Sequence, residues 1–269
     1  MNSFKNKIAL VTGASKGVGK GIAKGLGEAG AKVYLTGRSK DIQHATKEVN
    51  EAGGKGVAVN CDHRNDDEVQ QLFELIKKQD GKLDILVNNV WGGYEQMFNE
   101  NQEYIWEKPF WEQPTDYWDL MFASGVRAHY VSSRFAAKLM AKQGSGLIVN
   151  ISFWAAQKYI NNVAYGVSKA ATDKLTFDTA HELKPHNVAV ISLYPGLVRT
   201  ERVMQAAEYL DLSNSESPMF IGKVISALAN DPDVMQKAGS VQIAAELGLK
   251  YDITDINGKQ PEPLTLQDV

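Results

Sequence analysis

One cysteine stands in the whole chain, Cys61, so no internal disulfide can form and a reducing cytoplasm is the expected setting. No run of about 18 apolar residues occurs, which argues against a membrane-spanning helix. The N-terminal MNSFKNKIALVTG leads straight into a strand-like run with no signal-peptide core. Charge of one sign is lacking too: 29 Lys and Arg stand against 32 Asp and Glu, a net charge of −3. With no basic stripe to hold phosphates, nucleic acid is not an expected partner. The histidines, at 44, 63, 129, 181 and 186, show no ligand spacing with Cys61 or with carboxylates, so no metal site is expected. What is present, 43% hydrophobic and 23% charged residues, is the balance of a folded, water-facing protein.

Short apolar runs recur at 7–12, 32–37, 56–61, 83–89, 146–152 and 188–196. Helical patterns separate them: a glycine-punctuated stretch after residue 16, then 40–53, 65–79, 116–142 and 163–185. This alternation predicts βαβ units on a parallel sheet with helices on both faces, a three-layer doubly wound α/β fold of about seven strands. No composition break divides residues 1–269, so one domain is expected. Two stretches depart from the alternation: the aromatic-rich 91–115, and 197–220, a helical pattern ending in SNSESP. Both follow predicted strand ends, where open α/β sheets place ligands, so they are expected to shape a substrate pocket.

Between the first strand and helix stands Thr12-Gly13-Ala14-Ser15-Lys16-Gly17-Val18-Gly19. A diphosphate at a helix N-terminus needs bare backbone N–H groups, and glycines at 13, 17 and 19 remove the side chains that would block it. The spacing is TGxxxGxG rather than the common GxGxxG.

That motif resembles the short-chain dehydrogenase/reductase family, and further residues match in family order. Tyr165-Gly166-Val167-Ser168-Lys169 is similar to its YxxxK, and Ser152 lies thirteen residues before Tyr165. Asn88-Asn89-Val90 resembles the start of NNAG, Asp62 follows the third strand, and Pro195-Gly196-Leu197-Val198-Arg199-Thr200 resembles PGxxxT. Wording such as AYGVSKAATDKLTFDTAHEL and SLYPGLVRTE resembles the dehydrogenase/reductase member-1 branch. The resemblance implies a nicotinamide cofactor held by Gly13, Ser15, Lys16, Gly17, Val18, Gly19, Arg38, Asp62, Asn89, Val90, Tyr165, Lys169, Pro195, Gly196, Val198 and Thr200.

The chemistry can also be argued from the residue types. Hydride delivery to a carbonyl leaves an oxyanion, and the Tyr165 hydroxyl can supply its proton. Lys169, four residues on, shares a helical face with Tyr165, and its charge, with that of an oxidised nicotinamide, is expected to stabilise the tyrosinate. Ser152 would hydrogen-bond the substrate oxygen. The apolar bulk of Trp91, Phe153, Trp154, Tyr159 and Tyr194 points to a bulky, apolar carbonyl or alcohol as the small-molecule partner.

No acid follows the second strand; Leu35-Thr36-Gly37-Arg38 ends it, with Lys16 in the glycine turn. Two cations suit a 2′-phosphate, favouring NADP(H) over NAD(H). Three features depart from the family. Gly125 stands where an asparagine usually supports a water-mediated proton relay, and the expectation is that the glycine admits an extra water. Val90-Trp91 replaces Ala-Gly beside the cofactor. The region past residue 240 lacks the usual closing GG segment, which favours a dimer over the commonest tetramer. An NADP(H)-dependent carbonyl reductase is the leading reading, and the reverse alcohol oxidation is compatible with it. An NADPH-binding sensor or scaffold without turnover is the alternative.

Overall fold

The structure, a computed structural model, describes residues 4–269, apart from the Glu95 side chain. Seven parallel strands run in the order β3-β2-β1-β4-β5-β6-β7. They are β1 Ile8–Val11, β2 Lys32–Gly37, β3 Lys55–Asn60, β4 Ile85–Asn88, β5 Gly146–Ile151, β6 Val188–Tyr194 and β7 Val241–Ile243. Strand pairing carries the alternation of side chains into two layers. Ala9, Val11, Val87, Val149 and Ile191 pack on one face beneath α1 (Gly17–Glu28), α2 (Ile42–Glu51), α8 (Pro218–Asn230) and α9 (Ala244–Lys250). Ile8, Leu10, Leu86, Ile148 and Val190 pack on the other, beneath α3 (Asp66–Asp80), α5 (Ala128–Gln143) and α6 (Val163–Leu183). Burial on both faces is why the central strands read as unbroken apolar runs.

The glycines of α1 answer to a close neighbour. A methyl at Gly25 would fall 2.7 Å from the Gly222 carbonyl carbon on α8, and one at Gly21 would collide with Pro218. A 12-residue helix rich in glycine costs conformational entropy, and here that cost permits backbone contact between two helices.

The expected doubly wound fold is present, with three local differences. The helix expected over 116–142 is split into α4 (Thr115–Met121), a π-helical segment Phe122–Arg127, and α5. Single π turns accommodate one extra residue and cluster at functional sites. Ser124 is tied within this turn, its hydroxyl donating to the Leu120 carbonyl at 2.5 Å. The helical pattern expected across 200–220 yields the short α7 (Glu201–Gln205) and a 3-10 turn at Ala207–Tyr209, and Pro218 then starts α8 at its first position. The seventh strand, three residues long, lies past residue 240, where periodicity is too short to read. Among the described residues no helix is long and apolar enough to cross a membrane.

Candidate active site

The topology brings the predicted residues to one edge of the sheet. In parallel strands every C-terminal end points the same way, so Gly13, Arg38, Asp62, Asn89, Ser152 and Pro195 all follow strands at that edge.

The glycine turn is braced by side chains from β4. Thr12 Oγ1 accepts the N–H groups of Asn89 (2.9 Å) and Val90 (3.0 Å), and Asn89 Nδ2 donates to the carbonyls of Thr12 and Gly13, each at 3.0 Å. Gly13 and Gly17 hold φ of +65° and +59°, a region costly for any side chain. A methyl at Gly19 would strike Asn89 Nδ2 and the Gly13 carbonyl. Val18 packs on the core below, while Ser15 lies against Gly37 at the end of β2. Lys16 follows that contact and is exposed, and Arg38 is 60% exposed at its side chain. Arg38 Nη1 lies 3.9 Å from Asp62 Oδ2, whereas Arg64 engages Asp62 closely, 2.6 Å at Nη2. Hydrogen bonding from Arg64, helped by Arg38, holds the Asp62 carboxyl down at about 2.

A carboxylate shows what this turn attracts. Glu201 Oε2 accepts the Gly17 N–H at 2.9 Å, and its other oxygen pairs with Lys20 at 2.9 Å. The protein's own anion thus stands at an α1 N-terminal N–H, the chemistry a diphosphate oxygen would satisfy. The residues present therefore fit a dinucleotide. Thr200, beside Gly17, caps α7 by accepting the Val203 N–H at 3.3 Å and so directs Glu201 inward. The segment after β6 is pinned by buried Glu216, which accepts the Gly196 N–H at 2.9 Å, and Val198 bridges to Glu216. Burial pushes the Glu216 carboxyl up to about 7. Glu201 and Glu216 were not singled out by the sequence reading. The acid directly after PGxxxT is the signal that was available for Glu201; Glu216, twenty residues past Gly196, has none.

Tyr165 and Lys169 lie in the first two turns of α6, both buried. The helix starts there because Asn162 caps it, its Oδ1 accepting the Tyr165 N–H at 2.8 Å. Asn162 Nδ2 in turn donates to the Trp106 carbonyl at 2.9 Å, tying α6 to the 91–115 loop. Gln113 gathers the same loop by donating to the carbonyls of Trp106 (2.9 Å) and Lys108 (2.8 Å). The loop that looked unusually long is therefore an ordered wall.

Tyr94 stands beside Tyr165, their ring centroids 6.4 Å apart. Lys169 Nζ donates to the Ile151 carbonyl at 3.2 Å and sits 5.8 Å from the Tyr165 ring centroid. Burial takes the ammonium down to about 8, against the pull of Asp173. Burial, with Tyr94 beside it, raises the Tyr165 phenol well above its ordinary value. Desolvation disfavours the charged form of an enclosed phenol.

Ser152 follows β5, buried, with its hydroxyl donating to the Lys169 carbonyl at 3.4 Å and interacting with Asp173 and Tyr194. The predicted substrate residues divide. Trp91 and Phe153 line the bay around Tyr165, at centroid distances of 5.4 and 6.4 Å. Tyr194 is fully buried and bonded to Asp173, and Trp154 is packed edge-on against it at 5.3 Å. Tyr159 is 68% exposed at the rim. Trp106, Tyr117 and Met121 complete the bay from 91–115 and α4. Arg202 closes the two predicted loops over it, donating to the Tyr94 carbonyl at 2.6 Å.

The space above Gly125 is filled otherwise than expected. A methyl on Gly125 would lie 2.8 Å from Trp91 Cδ1, so an indole, not an added water, packs against that glycine. Nearby His129, buried on α5, holds the Val90 carbonyl through Nε2 at 2.9 Å, and burial takes its imidazole down to about 3. Among the described residues no group of three His, Cys, Asp or Glu could hold a metal ion.

Comparison with known proteins places this arrangement. A family model described as short chain dehydrogenase matches residues 7–210. Dehydrogenase/reductase SDR family member 1 of Mus musculus is 42% identical over 270 aligned residues, covering 95% of this chain and 85% of the relative. A metagenomic short-chain oxidoreductase crystallised with NADP superposes with a TM-score of 0.73 at 29% identity, covering 90% of this chain and 97% of the other. A 7 alpha-hydroxysteroid dehydrogenase complexed with NADH and 7-oxo glycochenodeoxycholic acid gives a TM-score of 0.76 at 27% identity, with 96% of each chain covered. With its glycine turn, its parallel sheet and its Ser-Tyr-Lys set in register, the chain belongs to the short-chain dehydrogenase/reductase family.

Proposed function

We propose that the protein is an NADP(H)-dependent oxidoreductase that reduces a bulky, apolar ketone or aldehyde to an alcohol, or runs the reverse. The observation carrying this reading is the buried Tyr165–Lys169 pair, one helical turn apart, facing an aromatic bay at the strand edge that also bears the glycine turn. Gly13, Ser15, Lys16, Gly17, Val18 and Gly19 would hold the diphosphate, with Asp62 by the adenine. Asn89, Val90, Pro195, Gly196, Val198 and Thr200 would flank the nicotinamide half. When bound, the nicotinamide supplies or accepts the hydride.

The protein's own part is proton handling. In reduction the Tyr165 O–H bond breaks as the substrate O–H bond forms, leaving a tyrosinate that the Lys169 ammonium stabilises. A phenol kept protonated by burial is in the form this step needs. Ser152 would turn its hydroxyl from the Lys169 carbonyl to the substrate oxygen and fix its angle of approach. Trp91, Tyr94, Trp106 and Phe153 enclose the bay in aromatic surface, which favours a ring-bearing substrate over a small charged one. The solved relative bound to a 7-oxo bile acid supports such bulk.

Arg38 just after β2 and Lys16 in the glycine turn, both open to solvent, support the choice of NADP(H). The unpaired, buried Cys61 fits a cytoplasmic setting.

The test is NADPH consumption across a panel of aromatic, cyclic and aliphatic carbonyls. Turnover is expected to be greatest with the bulky cyclic members. Tight NADPH binding with no turnover across the panel would instead identify a cofactor-binding sensor.

A further inference from the structure

We propose that Trp91, seated on Gly125, is a positioning residue: its indole face holds the Lys169 ammonium and its packing sets Tyr165. The inference deepens the proposed function and rests on the reading of Tyr165 and Lys169 as the proton-transfer pair.

The indole is wedged between two glycines far apart in the chain. On one side an added methyl at Gly125 would sit 2.8 Å from Cδ1 and 3.3 Å from Nε1. On the other, a methyl at Gly93 would sit 2.6 Å from Cη2 and 3.0 Å from Cζ2. The pyrrole and benzo edges are thus both gripped, and any side chain at 125 would drive the ring off its seat. The π turn at Phe122–Arg127 brings Gly125 to this place.

Held there, the ring presents its surfaces to the pair. Lys169 Nζ lies 5.5 Å from the indole centroid, within reach of a cation–π contact. The Tyr165 ring meets it at 5.4 Å and 68°, an edge-to-face arrangement. A buried ammonium needs compensation, and among the described residues Nζ donates to the Ile151 carbonyl. The other charged or titratable groups facing Lys169 are few. Asp173 is one turn further along α6, linked to Tyr194 of β6; Tyr165, one turn back, is linked to Tyr94; and His129 faces Lys169 from α5, neutral through burial. The indole face adds a non-titrating source of negative potential beside the ammonium, and a hydrocarbon of similar bulk would not.

That difference makes the test. Trp91→Leu keeps apolar bulk and removes the π face; Trp91→Phe keeps a smaller one. In reduction the enzyme needs Lys169 charged, so losing the face lets the ammonium deprotonate sooner. The alkaline limb of kcat is expected to move down by about one pH unit in Trp91→Leu and by less in Trp91→Phe. KM for NADPH is expected to stay within about threefold of wild type, because the contact sets the proton pair rather than the cofactor. Equal shifts in the two variants, or none, would overturn the inference.

A second measurement needs neither cofactor nor turnover. Denaturation of wild type, Trp91→Leu, Lys169→Met and the double variant forms a stability cycle. The two substitutions are expected to be coupled by about fivefold or more in the unfolding constant. Strict additivity would contradict the contact. Should the wild type show no turnover, the proposed function fails, while this cycle still decides the role of Trp91.

Discussion

The glycine-rich turn and the aromatic bay both depend on glycine, and they use it in opposite ways. At 13, 17 and 19 the missing side chains let backbone approach backbone and leave N–H groups bare toward an anion. At 93 and 125 the missing side chains admit the protein's own indole. The first use is local, confined to seven consecutive positions, so spacing reveals it. The second joins Trp91 to a residue more than thirty positions away, and spacing cannot reveal it. What the comparison teaches is that a glycine replacing a polar residue can be explained by what fills its place.

The largest effect should come from filling the turn. Gly19→Val would set its side chain against Asn89 Nδ2 and the Gly13 carbonyl, atoms that cannot yield without breaking the brace to β4. A loss of about 3 kcal/mol of stability, with NADPH binding lost, is expected from chemical denaturation and cofactor titration. A variant that kept both would show that the turn is looser than its geometry.

Next is the pH response of the histidine under the site. His63 is buried between Thr36 Oγ1 (2.7 Å) and Ser132 Oγ (3.1 Å), and burial takes it down to about 4. Its folded pKa lies below the unfolded value, so the unfolded chain binds more protons as pH drops from about 6.5 toward 4. Stability from this group is therefore present above that window and lost on acidification, on the order of 2 kcal/mol. His129 acts in the same direction; Glu216, raised by burial, acts oppositely and loses stability as pH rises toward about 7. Comparing wild type with His63→Gln isolates the first term. Parallel melting curves across pH 4 to 6.5 in both proteins would contradict it.

Smaller again is cofactor choice. Arg38→Asp should weaken NADPH by about tenfold or more relative to NADH, because it replaces a phosphate partner with a repelling charge. Equal losses for both cofactors, by fluorescence titration, would remove the assignment to NADP(H). The smallest effect is expected at Glu201. Its carboxylate occupies the Gly17 N–H and Lys20 that an incoming diphosphate would share. Glu201→Gln should therefore tighten NADPH binding by about threefold. Weaker binding would mean that Glu201 supports the turn rather than competing at it.

Most of the fold was legible because parallel, doubly covered strands leave continuous apolar runs, and helices between them keep their own period. The split at Phe122–Arg127 was not legible, since a π turn shifts register by one residue without changing composition. Nor was β7, too short for any period. In the candidate site, backbone-dictated positions such as Gly13, Gly17 and Gly19 and the i,i+4 pair Tyr165 and Lys169 could be read from spacing. The depth of aromatic residues could not: Tyr194 and Trp154 are buried and packed on each other, while Tyr94 and Trp106 stand against Tyr165. Asn162 could have been found as a capping residue before a helix, although its second bond, to the Trp106 carbonyl, depends on how the loop folds back.

The most direct test of the central claim is the turnover of Tyr165→Phe with saturating NADPH and the best carbonyl of the panel. The account predicts a fall of about 10²-fold or more in kcat, with the fold and NADPH affinity retained. Turnover within a few-fold of wild type would show that Tyr165 does not carry the proton and that the reading of this site is wrong.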